Sequence, residues 1–285
     1  MSPRHNIGVQ SPHGTIIIDG VSIAYTDEGI GTPVVCLHAT AQGGRDFHHF
    51  RDRILKHGGY RLIVLDWAGH GRSASDKQAF SAIRCEEVLT QFLQQLNITK
   101  PLIIGNSIGG ATALRYAAKH SDKVQAVIAC NPGGLAPVNA IAKVFCSVMA
   151  SIAGLGERKS AFFKPIFSLL CAALLRTLAA REQRQRIIEA GYDNATVMRQ
   201  AWHSFRQPDG DIRPLLSAIQ CPVLFAWAKD DNIVALSASK AAIATVANHK
   251  LKLFTGGHAA FLESPDEFFA EFVSFSQDLQ SNASA

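Results

Sequence analysis

Three residues spread along this 285-residue chain could together perform nucleophilic catalysis: a serine, an aspartate and a histidine. The serine is Ser107, inside Gly105-Asn106-Ser107-Ile108-Gly109-Gly110. A bare G-x-S-x-G is weak, since roughly 0.1 copies arise by chance at this length and composition. Context strengthens it. The string follows the apolar run 101–104 and opens a helical pattern over 108–120, so the serine falls at a tight strand-to-helix turn. Its backbone there is strained and its flanking positions crowd together, which Gly105 and Gly109 relieve. Such a turn holds the hydroxyl clear of the sheet and aims the first helical amides at whatever binds. A phosphate-cradling loop is the competing reading, but the P-loop lysine is missing and the glycine spacing is not G-x-G-x-x-G.

A serine hydroxyl is a poor nucleophile until a base takes its proton. Two downstream segments supply the partners. A strand-like run over 222–227 leads into Ala228-Lys229-Asp230-Asp231-Asn232, and another over 250–254 leads into Thr255-Gly256-Gly257-His258. Each functional residue thus lies just past the carboxyl end of a predicted strand, where open α/β sheets bind ligands. His258 can accept the Ser107 proton. An aspartate on its other ring nitrogen, Asp230 or Asp231, would fix the tautomer and stabilise the imidazolium. An oxyanion formed by attack needs two amides, and the N–H of Ile108 is one.

The elements that must position these residues are short, β-branched apolar runs at 15–19, 21–25, 33–38, 62–66, 102–105, 124–130, 223–227 and 250–254. Near-continuous apolar runs suit strands covered on both faces, hence a mostly parallel sheet. The first two runs, parted by Gly20, predict an antiparallel hairpin at one edge. Helical periodicity fills 46–57, 83–96, 108–120 and 265–279. Ser264, Pro265 and Glu267 predict a capping box at the last. Strand and helix alternate, the mark of an α/β fold. The alternation breaks over 135–218, which is helical throughout. Phe145, Met149, Phe162, Phe163 and Phe167 against Arg181, Arg184 and Arg186 predict packing helices, so the core comprises 1–134 and 219–285 around an insertion.

Composition narrows the classes. Apolar residues make up 47% and charged ones 18%, which is globular; 28 basic against 23 acidic side chains leave a formal +5 without a dense basic stripe. Nucleic acid is therefore not an expected partner. Residues 1–10 are polar and carry no leader pattern. The greasiest run, 165–175, is far short of the roughly 20 residues of a spanning helix and reads as buried, so no membrane partner is expected. The six cysteines form no C-x-x-C pair and no zinc spacing; buried free thiols and a cytoplasmic location are the expectation. No metal or cofactor is called for, and oligomeric state is not legible.

The combination resembles the α/β-hydrolase superfamily over nearly the whole chain. Besides the serine turn, the resemblance rests on Leu37-His38, on Asp66-x-x-Gly69-His70-Gly71-Arg72-Ser73, on His120-Ser121-Asp122-Lys123-Val124, and on Gly257-His258 before Glu263-Ser264-Pro265. It implies an eight-stranded, mostly parallel sheet with helices on both faces, and a helical cap at 135–218. It implies a triad of Ser107, Asp231 and His258; the family's Gly-x-x-Asp reads Ala228-x-x-Asp231 here. The second oxyanion amide falls to Thr40, in a loop where Ala39 replaces the family's glycine. Ala39, Asn106 and Trp202 are the expected substrate contacts, with Gln42 and Gly43-Gly44 on the pocket floor. His38, Asp66 and Arg72 read as loop architecture. His48 and His49 read as surface residues. Arg199, Trp202, His203 and Arg206 read either as a carboxylate clamp or as a solvated face with the tryptophan tucked inward.

The expected activity is hydrolysis of a small to medium hydrophobic carboxylic ester, through an acyl-serine. Two alternatives stand beside it. Gly-Asn-Ser-Ile-Gly-Gly is similar to the nucleophile turn of hydrolases that cut carbon–carbon bonds in dienoic ring-fission products. Those enzymes usually carry Trp after the histidine, where this chain has Ala259, and a Gly-Pro-rich oxyanion loop, where it has Ala39-Thr40-Ala41. A slow-turnover ligand receptor of the same fold is the third reading. Dehalogenases and epoxide hydrolases of the fold use an aspartate where Ser107 stands.

Overall fold

Side chains that alternate across strands buried on both faces build one sheet with two apolar layers. In the computed structural model, which describes residues 13–283, the strands are β1 (His13–Ile18), β2 (Val21–Gly29), β3 (Thr32–Leu37), β4 (Tyr60–Leu65), β5 (Leu102–Asn106), β6 (Ala126–Cys130), β7 (Val223–Ala228) and β8 (His249–Phe254). Every predicted strand is present, and the 1–10 stretch lies outside the described residues. The order is β1-β2-β4-β3-β5-β6-β7-β8. β1 and β2 form the expected edge hairpin, turning on Asp19-Gly20 at φ 50° and 80°. β2 is antiparallel to β4, and every later pair is parallel. Val35, Leu37, Ile63, Ile103, Val127 and Phe225 enter one layer. Val34, Cys36, Leu62, Ile104, Ile128 and Leu224 enter the other. Burial on both faces is why these strands read as unbroken apolar runs.

The helices are α1 (His48–His57), α2 (Ala82–Gln95), α3 (Ile108–Lys119), α4 (Ala140–Glu157), α5 (Phe163–Leu174), α6 (Arg181–Glu189), α7 (Ala195–Ser204), α8 (Leu236–Ile243), the short α9 (Ala260–Glu263) and α10 (Pro265–Ala283). α2, α3 and α8 cover one layer, while α1, α9 and α10 cover the other. The chain is thus an α/β-hydrolase fold, with α4–α7 inserted between β6 and β7. A 3-10 segment, Arg213–Ala218, leaves the insertion and packs back on α3. All six cysteines are free and buried.

Three local expectations are overturned. The capping box does not form. The Ser264 hydroxyl donates instead to Thr255 O at 2.7 Å, and Glu267 pairs with Lys252 at 3.3 Å. The 165–175 run is only half buried: α5 sinks Phe163, Phe167 and Cys171 but exposes Leu169, and Phe162 just before it is exposed too. The helix with the length and hydropathy of a spanning segment is α4, which packs along α7 with a third of its residues buried. Finally, Gly43 and Gly44 do not floor the central cavity; the Gly44 amide donates to Asp66 Oδ1 at 2.7 Å.

The insertion is tied to the core by an ion pair. Asp46, 2% exposed on the 3-10 turn before α1, accepts from Arg186 on α6 at 3.2 Å. Burial pushes the Asp46 carboxyl up to about 7, against the opposing pull of Arg186. The folded chain therefore holds this proton more tightly than the unfolded chain. Its contribution to stability is present below the usual carboxylate range and is lost as pH rises toward 7. Replacing Asp46→Asn should flatten that decline. Melting temperatures of wild type and variant, taken near pH 5 and near pH 8, check it; equal slopes would refute it.

Candidate active site

Ser107 sits between the last residue of β5 and the first of α3 at φ 55° and ψ −114°. Neighbouring strands and turns hold this strained backbone. The Ser107 amide donates to Cys130 O at 3.0 Å, and its carbonyl accepts from Gly133 N at 3.1 Å and Ala111 N at 2.9 Å. A Cβ on Gly105 would lie 2.3 Å from Gly109 O, and one on Gly109 would lie 2.3 Å from Leu37 O. The crowding expected from sequence is real, and no larger residue fits either place without moving backbone. The Ile108 amide, at the first position of α3, has no intrahelical partner.

Asn106 is not a substrate contact. Its side chain is fully buried, and its amide nitrogen donates to Cys130 O at 3.1 Å and His258 O at 2.9 Å. It locks the main chain of the histidine loop to the end of β5.

Of the two aspartates, Asp231 reaches the histidine. Its Oδ2 accepts from His258 Nδ1 at 2.6 Å and from Asn131 Nδ2 at 2.7 Å; its Oδ1 accepts from the amides of Ile233 at 2.8 Å and Val234 at 3.0 Å. All four acceptor sites of the carboxylate are occupied. Asp230 is held only through its amide, which donates to Gly256 O at 3.0 Å. Sequence reasoning missed Asn131, which also bonds both polar groups of Ala228, accepting from N at 2.8 Å and donating to O at 3.3 Å. Its signal was an amide side chain directly after β6, at the same sheet edge.

A second missed residue is Glu263, 4% exposed. One carboxylate oxygen accepts from the amides of Gly257 at 2.7 Å, His258 at 2.9 Å and Ala259 at 3.3 Å. The other accepts from Arg176 N at 2.7 Å and Thr177 N at 3.4 Å, in the link between α5 and α6. One buried carboxylate thus holds both the histidine loop and the insertion.

The loop after β3 is fixed by two histidines. His38 Nε2 accepts from Trp67 N at 2.9 Å, so its Nδ1–H donates to Ala39 O at 2.8 Å. His70 Nε2 accepts from Ala41 N at 3.2 Å. Burial, with His38 beside it, holds His70 near 3 and therefore neutral. The Ala39 amide donates to Gln42 Oε1 at 3.3 Å, and the Gln42 amide to Ala39 O at 3.3 Å. Within residues 39–42 the Thr40 amide alone has no partner among the described residues. Asp66 braces the outside, with Oδ1 on Gly44 N and Oδ2 on both Arg72 N and Arg72 Nε at 3.2 Å.

Ser107 and His258 face one cavity of about 890 Å³, its open mouth included. Ala39, Thr40 and Gln42 line it from the core, together with Ile233. α4, α5 and α7 enclose it with Met149, Ile152, Phe163, Phe167, Leu170, Leu174, Met198, Trp202 and Phe205 among others. Trp202 is therefore in place, set edge-on to Phe145 at 5.7 Å. None of the clamp candidates Arg199, His203 and Arg206 lines the cavity, and Arg199 pairs with Glu157 at 2.6 Å. His48 and His49 are not free surface residues either; they meet Gln183 at 2.6 Å and Ala179 O at 3.2 Å on the insertion. No hydrogen bond joins Ser107 Oγ to His258, although both line the same cavity.

A sequence model of the alpha/beta hydrolase fold matches residues 32–265. The chain belongs to that family. It is 26% identical over 273 residues to the 2-hydroxy-6-oxo-6-phenylhexa-2,4-dienoate hydrolase of Comamonas testosteroni, covering 86% of this chain and 88% of that one. A protein of Mycobacterium phage D29 named as a non-heme haloperoxidase is 32% identical over 117 residues, a match spanning 41% of this chain and 42% of the phage protein. Among solved structures, an esterase from Exiguobacterium antarcticum superposes with a TM-score of 0.79 at 21% identity, covering 91% of this chain and 97% of that one.

In this α/β-hydrolase, burial disfavours the charged imidazole of His258, but the charge and hydrogen bond of Asp231, joined by the charge of Glu263, outweigh it. The net effect raises His258 above the ordinary 6.5 of a histidine. Imidazole resonances followed by NMR against pH should show one histidine titrating above that value. Asp231→Asn should move the midpoint down, because burial then acts with less opposition, whereas Asp230→Asn should leave it in place. A midpoint insensitive to Asp231 would overturn the pairing.

Proposed function

We propose that this α/β-hydrolase cleaves small to medium, uncharged carboxylic esters through an acyl-serine. Ser107 Oγ attacks the ester carbonyl as His258 Nε2 takes its proton, while Asp231 holds the Nδ1–H and stabilises the imidazolium. The amides of Ile108 and Thr40 donate to the carbonyl oxygen as it becomes negative. His258 returns the proton to the leaving alcohol, and the same groups then activate water against the acyl-serine. The insertion acts as the cap, whose inner wall selects the acyl or alcohol part. Six free, buried thiols support a cytoplasmic setting.

The observation that carries this reading is the chemistry of the cavity wall. Its side chains are apolar apart from Thr40, Gln42, Ser107 and His258, plus the thiol of Cys171, and no lysine or arginine lines it. A substrate carboxylate would be desolvated there without a countercharge, a cost of several kcal/mol. Carbon–carbon hydrolysis of a dienoate is the second reading. It is favoured by the likeness to the Comamonas enzyme over 86% of this chain. The uncharged wall and Ala259 after His258 weigh against it.

The deciding experiment is a series of p-nitrophenyl esters, acetate through octanoate, assayed with wild type and Ser107→Ala. Turnover should peak at one chain length and vanish in the variant. Asp231→Asn should lower kcat by about 10⁴ and Asp230→Asn far less, by analogy with triad aspartates. Serine-dependent turnover of a ring-fission dienoate without ester turnover would establish the second reading. Stoichiometric labelling of Ser107 with no turnover of either would point to a receptor.

A further inference from the structure

Exposed large hydrophobic side chains concentrate in the insertion. Among the described residues, six of the nine exposed large hydrophobic side chains lie within 141–178: Ile141 (80%), Val144 (63%), Val148, Phe162 (74%), Leu169 (74%) and Leu178. They are not scattered. On α4, residues 141, 144 and 148 form one stripe at helical spacing that continues into Ile152, a cavity-lining residue. On α5, Phe162, Ile166, Leu169 and Ala173 form a second stripe, flanked by the lining residues Leu170 and Leu174. α4 packs on α5, so the two stripes lie on neighbouring helices of the insertion. The same two helices therefore present apolar groups inward to the cavity and outward to solvent. A helix that is apolar all round needs a second apolar phase.

Charge identifies that phase. Between residues 135 and 180 the basic side chains are Lys143, Arg158, Lys159, Lys164 and Arg176, all exposed. The one acidic side chain in that span, Glu157, is engaged by Arg199 at 2.6 Å. A second copy docked about a twofold axis would set these cations against their own images. An anionic surface would be attracted by all of them. We propose that the outer face of α4 and α5 seats this protein on anionic phospholipid, with the two helices lying in the interface and separating lipid from the cavity. The 165–175 run is too short to span a bilayer. A helix lying in the interface needs an apolar stripe and a basic flank instead. Ester cleavage at Ser107 would then draw on amphiphilic substrates held in that surface. Binding itself does not depend on that reading.

Flotation with phosphatidylcholine vesicles, with and without phosphatidylglycerol, tests the proposal in wild type and in Ser107→Ala, so that no turnover is required. Both proteins should float with the phosphatidylglycerol vesicles, and binding should weaken as salt screens the charge. Val144→Asp and Leu169→Asp, neither of which lines the cavity, should each weaken binding roughly tenfold or more. Turnover of a soluble p-nitrophenyl ester and the melting temperature should stay at wild-type values. The exposed double reversal Lys143→Glu/Lys164→Glu should weaken binding without disturbing packing. No flotation by wild type would overturn the proposal, as would variants that float as well as wild type. It would also fall if ultracentrifugation showed a dimer that Val144→Asp and Leu169→Asp dissociate, since a second copy would then cover the face.

Discussion

The backbone of Ser107 is the constraint around which the rest of the sheet edge is arranged. A non-glycine residue at φ 55° and ψ −114° is strained, at a cost of order 1–3 kcal/mol. The conformation persists because Cys130 O at the end of β6 accepts from its amide, while Gly133 N and Ala111 N of α3 donate to its carbonyl. Gly105 and Gly109 are the other half of the arrangement, since each lets a carbonyl approach to where a methyl group would stand. The gain from the strain is geometric: a hydroxyl raised above the sheet, beside the open amide of Ile108. Everything else at that edge reaches toward this point.

That reach is achieved mainly by buried carboxylates that collect backbone amides. Asp66 gathers the turns after β3 and β4, Asp231 gathers the start of the segment after β7, and Glu263 gathers the histidine loop. A buried carboxylate is costly alone, but each charge-assisted hydrogen bond to it contributes about 1.5–3 kcal/mol. With four or five acceptor contacts each, Asp231 and Glu263 are fully compensated and fix their loops in one geometry. Glu263 does more, because two of its amides belong to the link between α5 and α6. The link and the main chain of His258 thus share one anchor.

The fold was legible because its signals are local. All eight strands, the edge hairpin and the serine turn follow from runs, spacing and glycine placement. The local pattern left Asp230 and Asp231 open, and only the resemblance to the family's Gly-x-x-Asp favoured Asp231. What escaped was of two kinds. Asn131, Glu263 and His70 act through bonds to residues distant in sequence, and no local pattern announces an acceptor for someone else's amide. Asn106 was misread for the opposite reason: its place beside Ser107 suggested substrate, yet an alternating strand sends the neighbour of an outward residue inward. The Ser264 cap does not form: the residue also ends α9, at φ −130° and ψ 59° rather than the extended backbone of the capping Ser81, and its hydroxyl is turned to Thr255 O.

The insertion shows where composition stops being informative. An apolar stripe that lines a cavity and one that faces outward are the same letters at the same spacing; only the fold separates Ile152 from Val148, or Leu170 from Leu169. Buried inward, such residues shape a pocket with few polar groups, where a charged group would be desolvated without a countercharge. Turned outward, they enlarge exposed apolar surface, which a monomer in water avoids unless it has a use. Both faces are consistent with one chemical demand, a substrate that partitions out of water. The basic residues at the ends of α4 and α5 add the element that water-facing apolar surface alone would lack, a preference for which apolar phase it meets.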